Sequence, residues 1–255
     1  MNGLDPAREA DIATLRWLVE LGVDEAIGEE PVNRFEEPKL QSQPLTTPPK
    51  PKEDVVIDTA PIAAACDTLD ALRNAVEQFE GCDLKKGARN LVFSGGKPWS
   101  RVMVIGGSPD RDEDRAGAPF VGRAGEMLDR MFAAIGLSRE AENPEQALYL
   151  TSLLPWRPPQ GRQPSARDID MMLPFLARHV ELAEPKVVVL MGDLAAGSAL
   201  KTQTRITRLR GTWGEFGGRP AIPMFHPEAL LRDGSRKRAA WSDLLEIHHR
   251  LEAIG

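Results

Sequence analysis

The stretch RVMVIGGSPDRDEDRAGAPFVGRAG, residues 101–125, decides how this chain is read. RVMVIG (101–106) is an apolar run too short for a helix, and it reads as a buried strand. AGEMLDRMFAAIGL (124–137) reads as a helix closed by Gly136. Glycines, a proline and charges lie between them, so strand, loop and helix follow one another directly. A loop in that position points to a site rather than a linker.

The same rhythm continues on both sides. ALYLTSLL (147–154) is a second strand, and Ser165 with Asp168 makes a capping box ahead of Ile169, Met172, Leu173, Leu176 and Val180. KVVVLMG (186–192) is the clearest strand and leads into a short helix at DLAAGSAL. WGEFGGRPAIPMF (213–225) reads as two short extended pieces around Gly217-Gly218, and RKRAAWSDLLEIHHRLEAI (236–254) as a terminal helix. Upstream, Thr68 caps a helix over 68–79 that Gly81 ends, and 11–27 form a short amphipathic helix. Strands of nearly continuous apolar residues alternating with helices imply an α/β fold, with a parallel sheet covered on both faces. Ligands bind such sheets beyond the carboxyl ends of the strands. GGSPD, TSLLPWRPP, the turn at Gly192 and HPEAL are therefore expected to line one cleft.

Composition narrows the function classes. The 255 residues carry 32 basic and 38 acidic side chains, a net charge of −6. Residues 1–60 hold 13 acids and 6 bases, whereas 61–255 hold 25 acids and 26 bases. The acidity thus belongs to an N-terminal helical extension (1–37), followed by a Pro-rich linker (38–60) and a near-neutral body (61–255) that permits nucleic-acid binding. No apolar run is long enough to span a membrane, and MNGLDPAREAD has acids where a secretion signal needs bases, so a cytoplasmic protein is expected. Two cysteines, Cys66 and Cys82, cannot build a disulfide framework or a four-cysteine metal site within one chain.

GGSPD lacks the G-x-G-x-x-G spacing of a dinucleotide site, and neither G-x-x-x-x-G-K-[ST] nor G-x-S-x-G occurs. DRDED (110–114) reads as a solvated, self-paired surface rather than a metal site. His179 belongs to a helix face, His248 and His249 are expected in solvent, and Trp213 and Trp241 in the core or an interface.

Five segments together carry a resemblance. GGSPDRDEDRAGAPFVGRAG, LYLTSLLPWRPPQGRQPS, PKVVVLMGDLAA, ITRLRG and FHPEALLR are similar, in order and spacing, to the motifs of family 4 uracil-DNA glycosylases. The match covers about residues 76–250. The resemblance implies a three-layer α/β/α sandwich with a central four-stranded parallel sheet, and hydrolysis of the N-glycosidic bond of a uracil flipped out of DNA. It assigns Phe120 to stacking on the base and His226 to stabilising the departing uracil. Ser152, Gly106, Gly107 and Pro109 would surround the substrate, and Arg210, Arg208 and Arg123 would contact DNA. The chain also departs from the family pattern. Where the family has G-E-A-P-G, this chain has Gly106-Gly107-Ser108-Pro109-Asp110. Ser152 stands where an asparagine usually pairs with the uracil edge, and Gly161 replaces another asparagine. The four cysteines that hold an iron–sulfur cluster in the family align with Phe79, Cys82, Trp156 and Met172, so no cofactor and no metal are expected. The expected function is base excision repair by a monomer with DNA as partner, its activity reduced by Gly107 and Ser152. Two alternatives remain at this point: a DNA- or base-binding homologue that no longer cleaves, and an interaction module whose residues 1–60 recruit a protein partner.

Overall fold

Val102–Ile105 and Val187–Leu190 are wholly shielded from solvent, which is what continuous apolar runs require. The computed structural model describes residues 6–22 and 57–254. The chain divides into two units, Met1–Lys52 and Glu53–Gly255. In the first, helix α1 spans Pro6–Glu20, beginning and ending earlier than the expected 11–27. Residues 23–27 of that expectation, and the prolines of the linker, lie outside the described residues.

The second unit is built on six strands: β1 (Ser94–Gly96), β2 (Val102–Gly106), β3 (Leu148–Ser152), β4 (Val187–Met191), β5 (Gly214–Phe216) and β6 (Arg219–Met224). Their order is β1-β3-β2-β4-β6-β5. The four inner strands are parallel, in register as Val104 opposite Leu150 and Val189, and Val189 opposite Ile222. The expected four-stranded parallel sheet is therefore the centre of a mixed sheet, with an antiparallel strand added at each edge. β5 and β6 are the two extended pieces around Gly217-Gly218. β1 was not foreseen, because SGG carries none of the β-branched or aromatic residues that mark strands.

The helices cover both faces. α2 (Ala60–Ala64), α3 (Leu69–Gln78) and α6 (Ala166–Ala183) pack together, as do α5 (Gly122–Ala133), α9 (Pro227–Arg232) and α10 (Lys237–Ile254). α3 is capped by Thr68 and α6 by the reciprocal Ser165–Asp168 bonds, at 3.1 and 3.0 Å, as their sequences foretell. Thr59, buried, donates its hydroxyl to the Met171 carbonyl at 2.7 Å, so the body takes in Thr59 and Ala60, two residues ahead of the expected boundary. The remaining helices, α4 (Arg111–Ala116), α7 (Gly192–Ala199) and α8 (Ile206–Leu209), stand in the connections that follow β2 and β4. Among the described residues no helix is long and apolar enough to cross a membrane.

Candidate active site

The loop after β2 is held by one carboxylate. Asp110 caps α4, accepting the amides of Asp112 and Glu113 at 2.8 Å each. Glu113 reciprocates with Oε2, which accepts the Asp110 amide at 2.7 Å, while its Oε1 accepts the amide of Phe120. The DRDED reading needs correction here. Asp112 and Arg115 do pair on the surface at 3.2 Å, but Glu113 and Asp114 are buried. Burial pushes the Glu113 carboxyl up to about 7, with Asp110 and Glu228 acting in the same direction against the two amides that favour the charge. The D-x-x-E spacing of a capping box was the available signal for Glu113; charge alternation concealed it.

Phe120 adopts a left-handed backbone with φ of +52°, a conformation costly for an aromatic residue. Glu113 holds its amide, and Gly125 packs so closely on its carbonyl that a Cβ there would lie 1.9 Å from the oxygen. The ring is turned inward, 2% exposed, over the end of β2. A Cβ at Gly106 would meet the ring at 3.0 Å and the Ser152 hydroxyl at 3.5 Å. Phe120, Gly106 and Ser152 therefore converge on one point.

His226 faces that point from the other side. Its ring and the Phe120 ring are 5.7 Å apart between centroids, with 27° between planes. That is one aromatic contact, with no slot for a third ring between them. His226 caps α9: its Nδ1 accepts the Glu228 amide at 3.3 Å. Burial holds the imidazole below its ordinary value, so at neutral pH it is uncharged and, with Nδ1 accepting, its proton resides on Nε2. Gly192, at φ +85°, lets the turn after β4 pass the histidine, since a Cβ there would lie 3.3 Å from that of His226. The two line a cleft of about 350 Å³ with Asp193, Glu228 and Arg232.

The other expected site residues divide. Pro109 is buried beside the loop. Gly107 is not beside open space, because Leu194 of α7 abuts it, and a Cβ would meet Leu194 at 3.1 Å; nothing in the sequence signalled this neighbour. Arg123 and Arg208 are exposed. Arg210 is engaged internally, donating Nε to buried Asp243 at 2.9 Å and Nη2 to the Ala239 carbonyl at 2.6 Å. It pins the loop after α8 to α10. His179 is more than a helix-face residue. It is buried, stacked on Phe93 at 4.5 Å and within 2.8 Å of the Tyr149 hydroxyl, and burial pushes it down to about 3.

The four positions aligned with cluster cysteines, Phe79, Cys82, Trp156 and Met172, are all buried. Phe79 packs edge-on against Phe175 at 5.7 Å. Cys82 offers a lone sulfur, 3.9 Å from Asp168, and burial raises its thiol to about 11. A four-iron cluster needs four thiolates. One protonated thiol among a phenylalanine, a tryptophan and a methionine does not fit it.

A mixed-sheet α/β sandwich with a parallel centre, presenting an aromatic ring and a neutral imidazole at the carboxyl ends of its inner strands, sets the class to which this protein is compared. Residues 93–245 match the family model described as "Uracil DNA glycosylase superfamily", and the chain belongs to that superfamily. It is 32% identical over 191 residues to a type-4 uracil-DNA glycosylase of Archaeoglobus fulgidus, covering 71% of this chain and 92% of the relative. A type-4 enzyme of Thermotoga maritima is 30% identical over 175 residues, 67% of this chain and 87% of the relative. A type-5 uracil-DNA glycosylase of Pyrobaculum aerophilum is 30% identical over 148 residues, 52% of this chain and 65% of the relative.

Proposed function

We propose that the protein is a uracil-DNA glycosylase of base excision repair, working as a cytoplasmic monomer without a cofactor. The observation that carries this reading is the Phe120–His226 pair facing each other at the carboxyl edge of the sheet. A flipped base stacks on Phe120 once the imidazole turns edge-on. Nε2–H then donates to a uracil carbonyl, where negative charge gathers as the bond from the sugar to the base breaks. Water adds to the sugar carbon, and uracil departs as an anion that takes up a proton. Ser152 supplies a single hydroxyl contact to the base edge, where a carboxamide supplies both a donor and an acceptor. Arg123 and Arg208 meet DNA phosphates, and Arg210 positions the loop that carries Arg208. The test is incubation with a uracil-containing oligonucleotide followed by alkali. Cleavage at the uracil supports the reading, whereas binding without cleavage returns the protein to a base-binding role.

Two outcomes follow for residues where the chain departs from its family. Gly107→Glu, which reintroduces the family's carboxylate, should lower stability by about 1–3 kcal/mol through overpacking on Leu194. It should raise excision only when combined with Leu194→Ala. Denaturant midpoints and excision rates of the single and double variants check this, and a gain from Gly107→Glu alone would count against Leu194 as the obstacle. For the cluster positions, protein purified without oxygen should contain no stoichiometric iron by elemental analysis. Four irons per chain would overturn the cofactor-free reading.

A further inference from the structure

Away from the Phe120–His226 cleft, five cations gather around one groove of about 610 Å³: Lys86, Arg89, Arg111, Arg115 and Arg157, with Asp114 at its base. They come from three separate segments, the 3₁₀ turn Asp83–Gly87 with the residues after it, α4, and the loop beyond β3. Two of the charges are already answered, Lys86 by Asp83 at 2.6 Å and Arg115 by Asp112 at 3.2 Å. Among the described residues, the side chains of Arg89, Arg111 and Arg157 make no ion pair or hydrogen bond. Asp114 does not neutralise them from a free position, since its carboxylate is buried and accepts the amides of Arg89 at 2.8 Å and Asn90 at 3.3 Å. Asn90 returns the contact, donating to the carbonyls of Asp114 and Arg115 at 2.8 and 3.1 Å.

Those bonds make the groove a built feature. α4 fixes two things at once: Glu113 holds the Phe120 loop, and the adjacent Asp114 holds the strip that carries Arg89. The position of the unanswered arginines is thereby tied to the position of the base-stacking ring. Guanidinium groups recognise phosphate oxygens through paired donors. Three of them, without internal partners and converging from different segments, match a chain of phosphodiesters better than a single small anion.

We propose that this groove binds the phosphodiester backbone of the DNA strand whose base enters the Phe120 site, through Arg89, Arg111 and Arg157. The inference deepens the glycosylase reading and rests on it for the identity of the ligand. Each phosphate neutralised releases condensed counterions, so binding must weaken as salt rises.

The experiment is fluorescence anisotropy of a labelled, undamaged oligonucleotide across a salt series, with wild type, the triple variant Arg89→Gln/Arg111→Gln/Arg157→Gln and a control, Lys186→Gln, at the opposite end of the sheet. The triple variant should bind at least about tenfold more weakly, and its log affinity should fall less steeply with log salt, by about 2–3 in slope at 0.7–0.9 per contact. Lys186→Gln should match wild type. The corresponding triple lysine variant, which keeps charge at the same three positions, should retain most of the slope. A triple glutamine variant as tight and as steep as wild type overturns the proposal, and so does a wild-type protein in which inorganic phosphate binds and the oligonucleotide does not. Uracil excision is scored separately. If the slope changes as expected while wild type excises no uracil, the glycosylase reading fails and the groove assignment stands.

Discussion

Replacing His226 with alanine should lower uracil excision by about two to three orders of magnitude, the range seen when one preorganised donor to a developing anion is removed. The expectation follows from the tautomer. The Glu228 amide occupies Nδ1, and burial disfavours the charged ring, so in the proposed mechanism the group offered to the leaving base is a neutral Nε2–H. Neutral imidazole needs no protonation step, so excision should persist as pH rises through 7 and decline only as pH falls toward the lowered value of His226. Because that value lies below the ordinary one, His226 contributes stability that is present above about 6.5 and lost as pH falls through its folded value. His226→Ala should bind undamaged oligonucleotide as wild type does, since the ring donates to the base and not to phosphates. Unchanged excision in this variant, under conditions where wild type is active, would remove the imidazole from the mechanism.

Glu113→Ala should be the most destabilising single change in the loop. It strips the acceptor from the buried amide of Phe120 and from that of Asp110, and each orphaned donor costs about 1–3 kcal/mol. It also removes the contact that keeps Phe120 in its left-handed conformation, and release of that strain, of order 1–3 kcal/mol, offsets part of the cost. A net loss of about 1–3 kcal/mol is expected by chemical denaturation, accompanied by loss of excision as the ring leaves its place over Gly106. Glutamine should not rescue it, because one of the two acceptor oxygens becomes a donor facing an N–H. The acid also carries a pH signature. Its folded value of about 7 lies above that of an unfolded glutamate, so between about pH 4.5 and 7 the folded state binds the extra proton. Its contribution is therefore fully present at low pH and is lost as pH rises through 7. Glu113→Gln should flatten that part of the stability–pH curve, and an unaltered slope would show that the carboxyl does not titrate there.

Much of the architecture could be read without coordinates. Val102–Ile105 and Val187–Leu190 are apolar at every position because both of their faces are covered, and that pattern identifies inner parallel strands. Thr68, Ser165 and Asp168 mark helix starts because a cap is a local event, complete within four residues. The site was legible in part for a similar reason. Phe120 and His226 sit in motifs whose resemblance names them, but their facing arrangement depends on β2 and β6 bringing two loops to one edge of the sheet.

What the amino-acid order determined by itself was the local physics: where the inner strands run and where helices begin; the family resemblance added that one thiol stands where a cluster would need four. Tertiary structure alone decided which charges lie inside and which remain unanswered. Glu113 and Arg111 sit two residues apart in a single charged run, yet one is buried against the Phe120 amide and the other opens onto a cationic groove. Arg210 is drawn into an ion pair by Asp243, thirty-three positions along the chain, and Leu194 closes on Gly107 from another connection. The reason is physical: burial and Coulomb pairing depend on distances through space, which a one-dimensional pattern does not contain.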